Sequence, residues 1–203
     1  MKSLVRIAFL LSMGSSLQAA ELSSIETDDL RLLYFDPSET YLTPYVVRSF
    51  TNSINHQRRL FDYEPSEEVS VLLTDFTDWG NAGAIAVPRN ALLVDIAPTP
   101  FTFETSDTAE RMYSLMNHEL VHVVSMDQAS TQDQKYRNFF GGKVDTVAEH
   151  PETILYSYLT NPRRASPRWF MEGVAVFMET WMAGGLGRAQ GPYNEMVFRS
   201  KVR

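Results

Sequence analysis

The chain contains no cysteine. No disulfide, thiolate metal site or cysteine nucleophile is therefore available, and attachment to a lipid through a cysteine behind the leader is excluded. Histidine is scarce, with four in 203 residues: His56, His118, His122 and His150. Beyond residue 20 no segment approaches the roughly eighteen apolar residues of a membrane-crossing helix. Internal repeats and low-complexity tracts are missing. Positive charge is in the minority, 18 Lys and Arg against 25 Asp and Glu, for a net charge of −7. An acidic surface repels phosphate backbones, so a nucleic-acid partner is not expected.

The first twenty residues have the pattern of a secretory signal peptide: Lys2 and Arg6, an apolar stretch, then small residues ending at Ala19-Ala20. The competing readings are an uncleaved anchor and a buried N-terminal helix. The leader pattern predicts an exported protein, periplasmic or secreted. It carries two cations and no anion, which leaves 183 residues with a charge of −9. That length suits one domain with a sizeable core.

Residues 21–29 read as a polar tether, 30–190 as the folded domain and 191–203 as the start of a C-terminal helix. Leu30 to Phe35 and Glu68 to Asp75 have strand character, as do two shorter stretches, Asn81 to Ala86 and Ala91 to Ile96, parted by a turn at Pro88-Arg89-Asn90. Thr43 to Phe61 predicts an amphipathic helix opened by Pro44, with Val47, Phe50, Ile54 and Leu60 inward. Further helices are expected at Asp133 to Phe140 and Pro151 to Leu159, and a connecting loop at Pro162 to Pro167.

The segment from Thr108 to Val124 lacks Gly and Pro, and Met112, Leu115, Met116, Val123 and Met126 recur at helical spacing. Asp107 is its expected N-cap, with Glu110 completing a capping box. Within it lies His118-Glu119-Leu120-Val121-His122. Histidines four residues apart share one face of a helix, so both rings reach a single ion, and the intervening glutamate stands beside the water such an ion binds. A chance match, or a helix with a satisfied pair of core histidines, is the plain alternative. Three polar groups on a buried helix need partners, and a metal supplies them.

A second segment runs from Pro167 through Glu172 to Glu179, with Ser166 as its expected N-cap. Trp169, Phe170, Met171, Val174, Ala175, Val176, Phe177 and Met178 make it largely apolar, which predicts a core helix. A glutamate there is costly unless paired or bound to a metal. Two histidines and one glutamate, with the fourth position open, form a catalytic zinc set. Gly173 next to Glu172 is expected to permit close helix approach.

Together, Asn117-His-Glu-Leu-Val-His122 and Trp169-Phe-Met-Glu-Gly-Val-Ala-Val-Phe-Met-Glu179 resemble the motifs of the gluzincin metallopeptidases, specifically the bacterial peptidase-MA-like domains. The resemblance covers roughly residues 28–185, with specific motifs only in these two helices. It implies one zinc ion held by His118, His122 and Glu172, with Glu119 as general base and zinc-bound water as nucleophile attacking a peptide or protein substrate. It also implies a thermolysin-like, zincin-type α+β fold: a small mixed sheet packed on an active-site helix and a second, ligand-bearing helix.

Other schemes are tested by the same letters. A metzincin needs a glycine and a histidine where Ser125 and Gln128 stand, and an inverted H-x-x-E-H is absent. His150, Asp127, Asp145 and Glu149 remain alternative third ligands. Forty-nine residues part His122 from Glu172, against about twenty in the best-known gluzincins, so the intervening segment must loop out or form helices. Glu179, two turns beyond Glu172, reads either as a hydrogen-bond partner fixing a histidine tautomer or as a salt-bridge partner of Arg168 or Arg188. Candidates for stabilising an oxyanion are Tyr156, Tyr158, Tyr193 and His150.

Gluzincins align an extended peptide on an edge strand above the zinc helix, which marks Gly80, Asn81, Gly83 and Ala84 as candidates here, an ordinary exposed hairpin being the alternative. No acidic residue lies between Gly80 and Asn90 to hold a free amine, which favours an endopeptidase. The family resemblance also implies a further C-terminal domain, often a β-propeller. A non-catalytic envelope interaction module with a structural or vestigial zinc is the reading from another functional class.

Overall fold

The computed structural model describes residues 20–98, 111–160, 166–182, 184–185 and 187–202. The signal-peptide pattern, the capping box at Asp107 and Glu110 and the loop residues 162–165 lie outside these. Within the described residues, five strands form one mixed sheet: β1 (Glu21–Glu26), β2 (Leu30–Asp36), β3 (Val69–Thr74), β4 (Ala82–Ile85) and β5 (Ala91–Asp95), in the order β1-β2-β3-β5-β4. β2, β3 and β5 run parallel, with Leu30 opposite Val69 and Val71 opposite Leu92. The edge strands β1 and β4 are antiparallel to their neighbours. Among the described residues there are six α-helices: α1 (Thr43–Phe61), α2 (Arg111–Asp127), α3 (Thr131–Phe140), α4 (Glu152–Thr160), α5 (Arg168–Met182) and α6 (Pro192–Lys201). The fold is α+β, as expected.

Alternation decides which face of the sheet is covered. Val69, Val71 and Leu73 of β3, Leu30 and Leu32 of β2, and Leu92 and Val94 of β5 point to one side and are buried. Against them pack Val46, Phe50 and Ile54 of α1 and Met112, Met116, Leu120, Val123 and Val124 of α2. The right period in each element builds a two-layer core, with α2 set against the sheet and α5 set against α2. No helix among the described residues is long and apolar enough to cross a membrane.

Several expectations need correction. Residues 21–26 form β1 instead of a tether. Their polar side chains hide the strand, but an edge position demands a backbone ladder more than apolar faces, and β2 supplies it along six residue pairs. Leu60 is exposed, whereas Val46 takes the inward position. The helix predicted from Asp133 begins at Thr131, because Ser130 and Asp133 complete a capping box with reciprocal side-chain to backbone bonds. α5 is no core helix on all sides: Trp169 is 74% exposed, and Phe170, Phe177 and Trp181 are exposed with it, because only one face meets α2.

Candidate metal centre

His118, Glu119 and His122 all lie buried on α2. Val121 one turn along packs against Ala175 and Met178 of α5, and this crossing sets the second helix over the histidines. Ala175 is the small residue at the crossing. Gly173 is not, for a Cβ built there would meet nothing within 4 Å, so its expected role in close helix approach is withdrawn. Glu172 and Glu179, seven residues apart, share the face of α5 that looks at α2.

The histidine Nε2 atoms are 3.2 Å apart. Glu172 Oε2 lies 3.4 Å from His118 Nε2 and 3.7 Å from His122 Nε2. A tetrahedral zinc with N and O ligands at about 2.0–2.1 Å needs ligand atoms roughly 3.3–3.4 Å apart, so this triangle fits such an ion with small adjustments. Glu172 is the third ligand candidate that the fold delivers. Its side chain is 44% exposed, which leaves the triangle open on one side, contrary to the buried setting expected for it. Among the described residues no other group of His, Asp and Glu is assembled in this way.

The far edge of the His118 ring is held. Nδ1 lies 3.0 Å from Glu179 Oε2, on the edge opposite the Nε2 that faces Glu172. Glu179 also receives Arg188, with Nε 3.1 Å from Oε1 and Nη2 2.5 Å from Oε2. Glu179 thus contacts both His118 and Arg188, while Arg168 pairs with Glu172 instead, at 3.5 Å. Burial tends to raise the Glu179 carboxyl, but the bonds from His118 and Arg188 outweigh it and hold the pKa below the usual range. Burial, then the adjacent His118, lowers His122, which favours a neutral ring. Burial raises Glu119, with His118 opposing and Glu172 adding to the shift.

The other candidates go elsewhere. Asp127, buried at the end of α2, accepts from Tyr63, from both the backbone and hydroxyl of Ser66, and from Asn90, Arg137 and Lys143. It is a structural hub, and as a third ligand it is ruled out by these partners. Asp145 and Glu149 are exposed, and His150 is exposed beside Glu152 at 3.1 Å. Tyr156 is buried edge-on against Phe140 between α3 and α4. Tyr158 and Tyr193 stand exposed on α4 and α6, and no described contact brings any of the three tyrosines to the triangle.

β4 packs against α2 and is paired on one side only, by β5. Gly83 and Ala84 sit on this open edge, opposite Leu93 and Leu92, and a Cβ at Gly83 would meet nothing within 4 Å. Gly80 has a different reason to be glycine. A Cβ there would fall 1.8 Å from the Ala97 carbonyl oxygen and 2.2 Å from Arg111 Nη2, so the close approach is internal. Asn81 accepts the Asp95 amide through its carbonyl at 2.9 Å, continuing the strand pairing.

Of the two arginines considered for Glu179, Arg188 is the one that reaches it, and its contact with the His118 ring is what sequence reasoning missed. Its only signal is the glycine-rich run before it, Gly184-Gly185-Leu186-Gly187, which marks a chain reversal after α5 without saying where the next side chain lands. Comparison of the chain with protein-family models, with curated proteins and with solved structures yields no match.

Proposed function

We propose that the chain is a zinc-dependent peptidase of gluzincin type, favouring internal bonds of a peptide or protein substrate. The observation that carries the reading is the triangle of His118 Nε2, His122 Nε2 and Glu172 Oε2, with edges of 3.2, 3.4 and 3.7 Å, and Glu119 buried between the two histidines in sequence. Imidazole and carboxylate donors in a three-ligand set suit zinc, and the leader pattern of residues 1–20 supports export. A bound zinc ion would acidify a water molecule and polarise the substrate carbonyl.

The chain's own groups supply the rest. The Glu119 carboxylate takes a proton from water and returns it to the amide nitrogen that leaves. Glu179 holds His118 in the tautomer whose Nε2 is free to ligate. The open edge of β4 aligns an extended backbone through main-chain hydrogen bonds, with Gly83 leaving room for it. Purified protein should contain one zinc per chain and cleave an unfolded protein substrate. Glu119→Gln should keep the metal and lose at least about 100-fold in rate. If the wild type binds zinc yet cleaves no faster than Glu119→Gln, the peptidase reading fails and a non-catalytic zinc module takes its place.

A further inference from the structure

Glu179 is 6% exposed, and a buried carboxylate in contact with only one imidazole N–H would keep most of its acceptor sites unfilled. The chain solves this by turning back on itself. Gly184 and Gly185 take positive φ values of 70° and 90°, and their amides donate to the Trp181 and Thr180 carbonyls at 3.0 and 2.9 Å, ending α5. Gly187 then lies so close to Thr180 that a Cβ would come within 2.5 Å of Thr180 Oγ1 and 2.7 Å of its Cα. The next amide, of Ala189, donates to Thr180 Oγ1 at 3.0 Å, and Asn194 donates to the Arg188 carbonyl. Between these anchors the Arg188 side chain is returned to Glu179, nine residues back along the chain.

We propose that Arg188 is a positioning residue for the metal centre: its fork fixes the carboxylate plane of Glu179, Glu179 fixes the ring of His118, and Gly187 is what allows the turn to deliver the guanidinium. Arg188 Nη2 lies 2.8 Å from His118 Nδ1, on the ring edge opposite the Nε2 that faces Glu172. It therefore stands behind the ring, outside the space an ion or substrate takes, and touches both Glu179 and the ring edge that Glu179 holds. A two-pronged Arg–carboxylate contact sets orientation as well as distance, which a lysine cannot reproduce. Partners behind a metal-bound histidine typically contribute 10–100-fold in metal affinity.

The inference rests on the zinc reading above, and the test separates the two. Zinc affinity is measured by competition with a chelator, and the His118 tautomer by nitrogen NMR of the metal-free protein. Arg188→Ala should weaken zinc binding by about tenfold and change the balance of the two His118 tautomers. Arg188→Lys should fall between it and the wild type. Gly187→Ala, which keeps every charge, should match Arg188→Ala. In a Glu179→Gln background the loss of Arg188 should add less than about twofold, because the two-pronged contact needs both carboxylate oxygens. Unchanged affinity and tautomer in Arg188→Ala, or a full further loss in the Glu179→Gln background, overturns the proposal. If Arg188→Ala does not fold, Arg188→Lys decides by the same two readings. A wild type that binds no zinc removes the metal reading, while the tautomer comparison still decides the role of Arg188.

Discussion

Glu172 Oε2 and His118 Nε2 stand 3.4 Å apart across the crossing of α2 and α5, at a point where the glutamate remains 44% exposed. The distance suits two ligands of one ion, and the exposure gives that ion a way in from solvent. On the proposed ligand set, Glu172→Ala removes one of three donors and should lower zinc affinity by at least about 100-fold. Asp145→Ala and Glu149→Ala, whose carboxylates are exposed elsewhere, should leave it within about twofold. Chelator competition on the three variants checks this; retained affinity in Glu172→Ala refutes the ligand set.

The glycines of the two halves should respond in opposite ways. At Gly80 an added methyl meets the Ala97 carbonyl at 1.8 Å, and backbone must move. Gly80→Ala should destabilise by about 2 kcal/mol or more. At Gly173, inside α5 and with nothing within 4 Å, alanine relieves the helix of a flexible residue. Gly173→Ala should stabilise by roughly 0.5–1 kcal/mol with zinc affinity unchanged. Urea unfolding midpoints of both variants provide the check.

The Asp127 hub sets the stability of the opposite end of α2. Its side chain is fully buried and faces Lys143 at 3.0 Å and Arg137 at 3.3 Å. Asp127→Asn takes the buried anion from Arg137 and leaves Lys143 with the carboxylate of Glu67, and should cost about 3–5 kcal/mol. Equilibrium unfolding at pH 7 reads it directly. A loss under 1 kcal/mol would mean that the cations find other partners, such as Glu67, which Lys143 already touches at 2.7 Å.

The same group predicts a pH dependence. Burial alone would raise the Asp127 carboxyl, but the bonds from Ser66, the Lys143 charge and Asn90 hold it well below the ordinary carboxylate range. A carboxyl depressed in the folded state stabilises fully above its unfolded value near 3.9, and that contribution is lost as pH falls below about 4. Wild type should therefore lose stability steeply below pH 4, while Asp127→Asn shows a shallower slope and the two curves converge. Urea titrations from pH 7 to pH 2.5 test this, and parallel curves would sink it.

The parts of the molecule with a strong repeat were legible in the sequence. Val69, Val71 and Leu73 announced a strand buried on one face, and Phe50 and Ile54 a helix lying on it. The three groups of the triangle were readable because two come from one helical spacing and the third from an acidic residue in an apolar helix. What stayed hidden depends on neighbours that sequence distance conceals. β1 is a strand because β2 offers it a ladder, whatever its own side chains prefer. Gly80 and Gly173 exchange the meanings expected of them, since a glycine does not tell which chain approaches it. Asp127 collects partners from residues 63, 66, 90, 137 and 143, and no local pattern joins those positions. Arg188 was readable as one of two partners for Glu179, but the tight turn that selects it over Arg168 shows only in the fold.

The helix that carries His118 and His122 is fastened at both ends. Arg111 donates to the carbonyls of Asp95, Ile96 and Ala97 at one, and Asp127 gathers its hub at the other. A helix pinned in this way opens only with the whole domain, so its amides should be among the slowest to exchange with deuterium. On the zinc reading, metal capture would be docking onto a finished scaffold: added zinc should raise the melting temperature by mass action while the circular-dichroism spectrum stays as it was. Small metal-dependent modules behave otherwise, gaining their helices along with the ion.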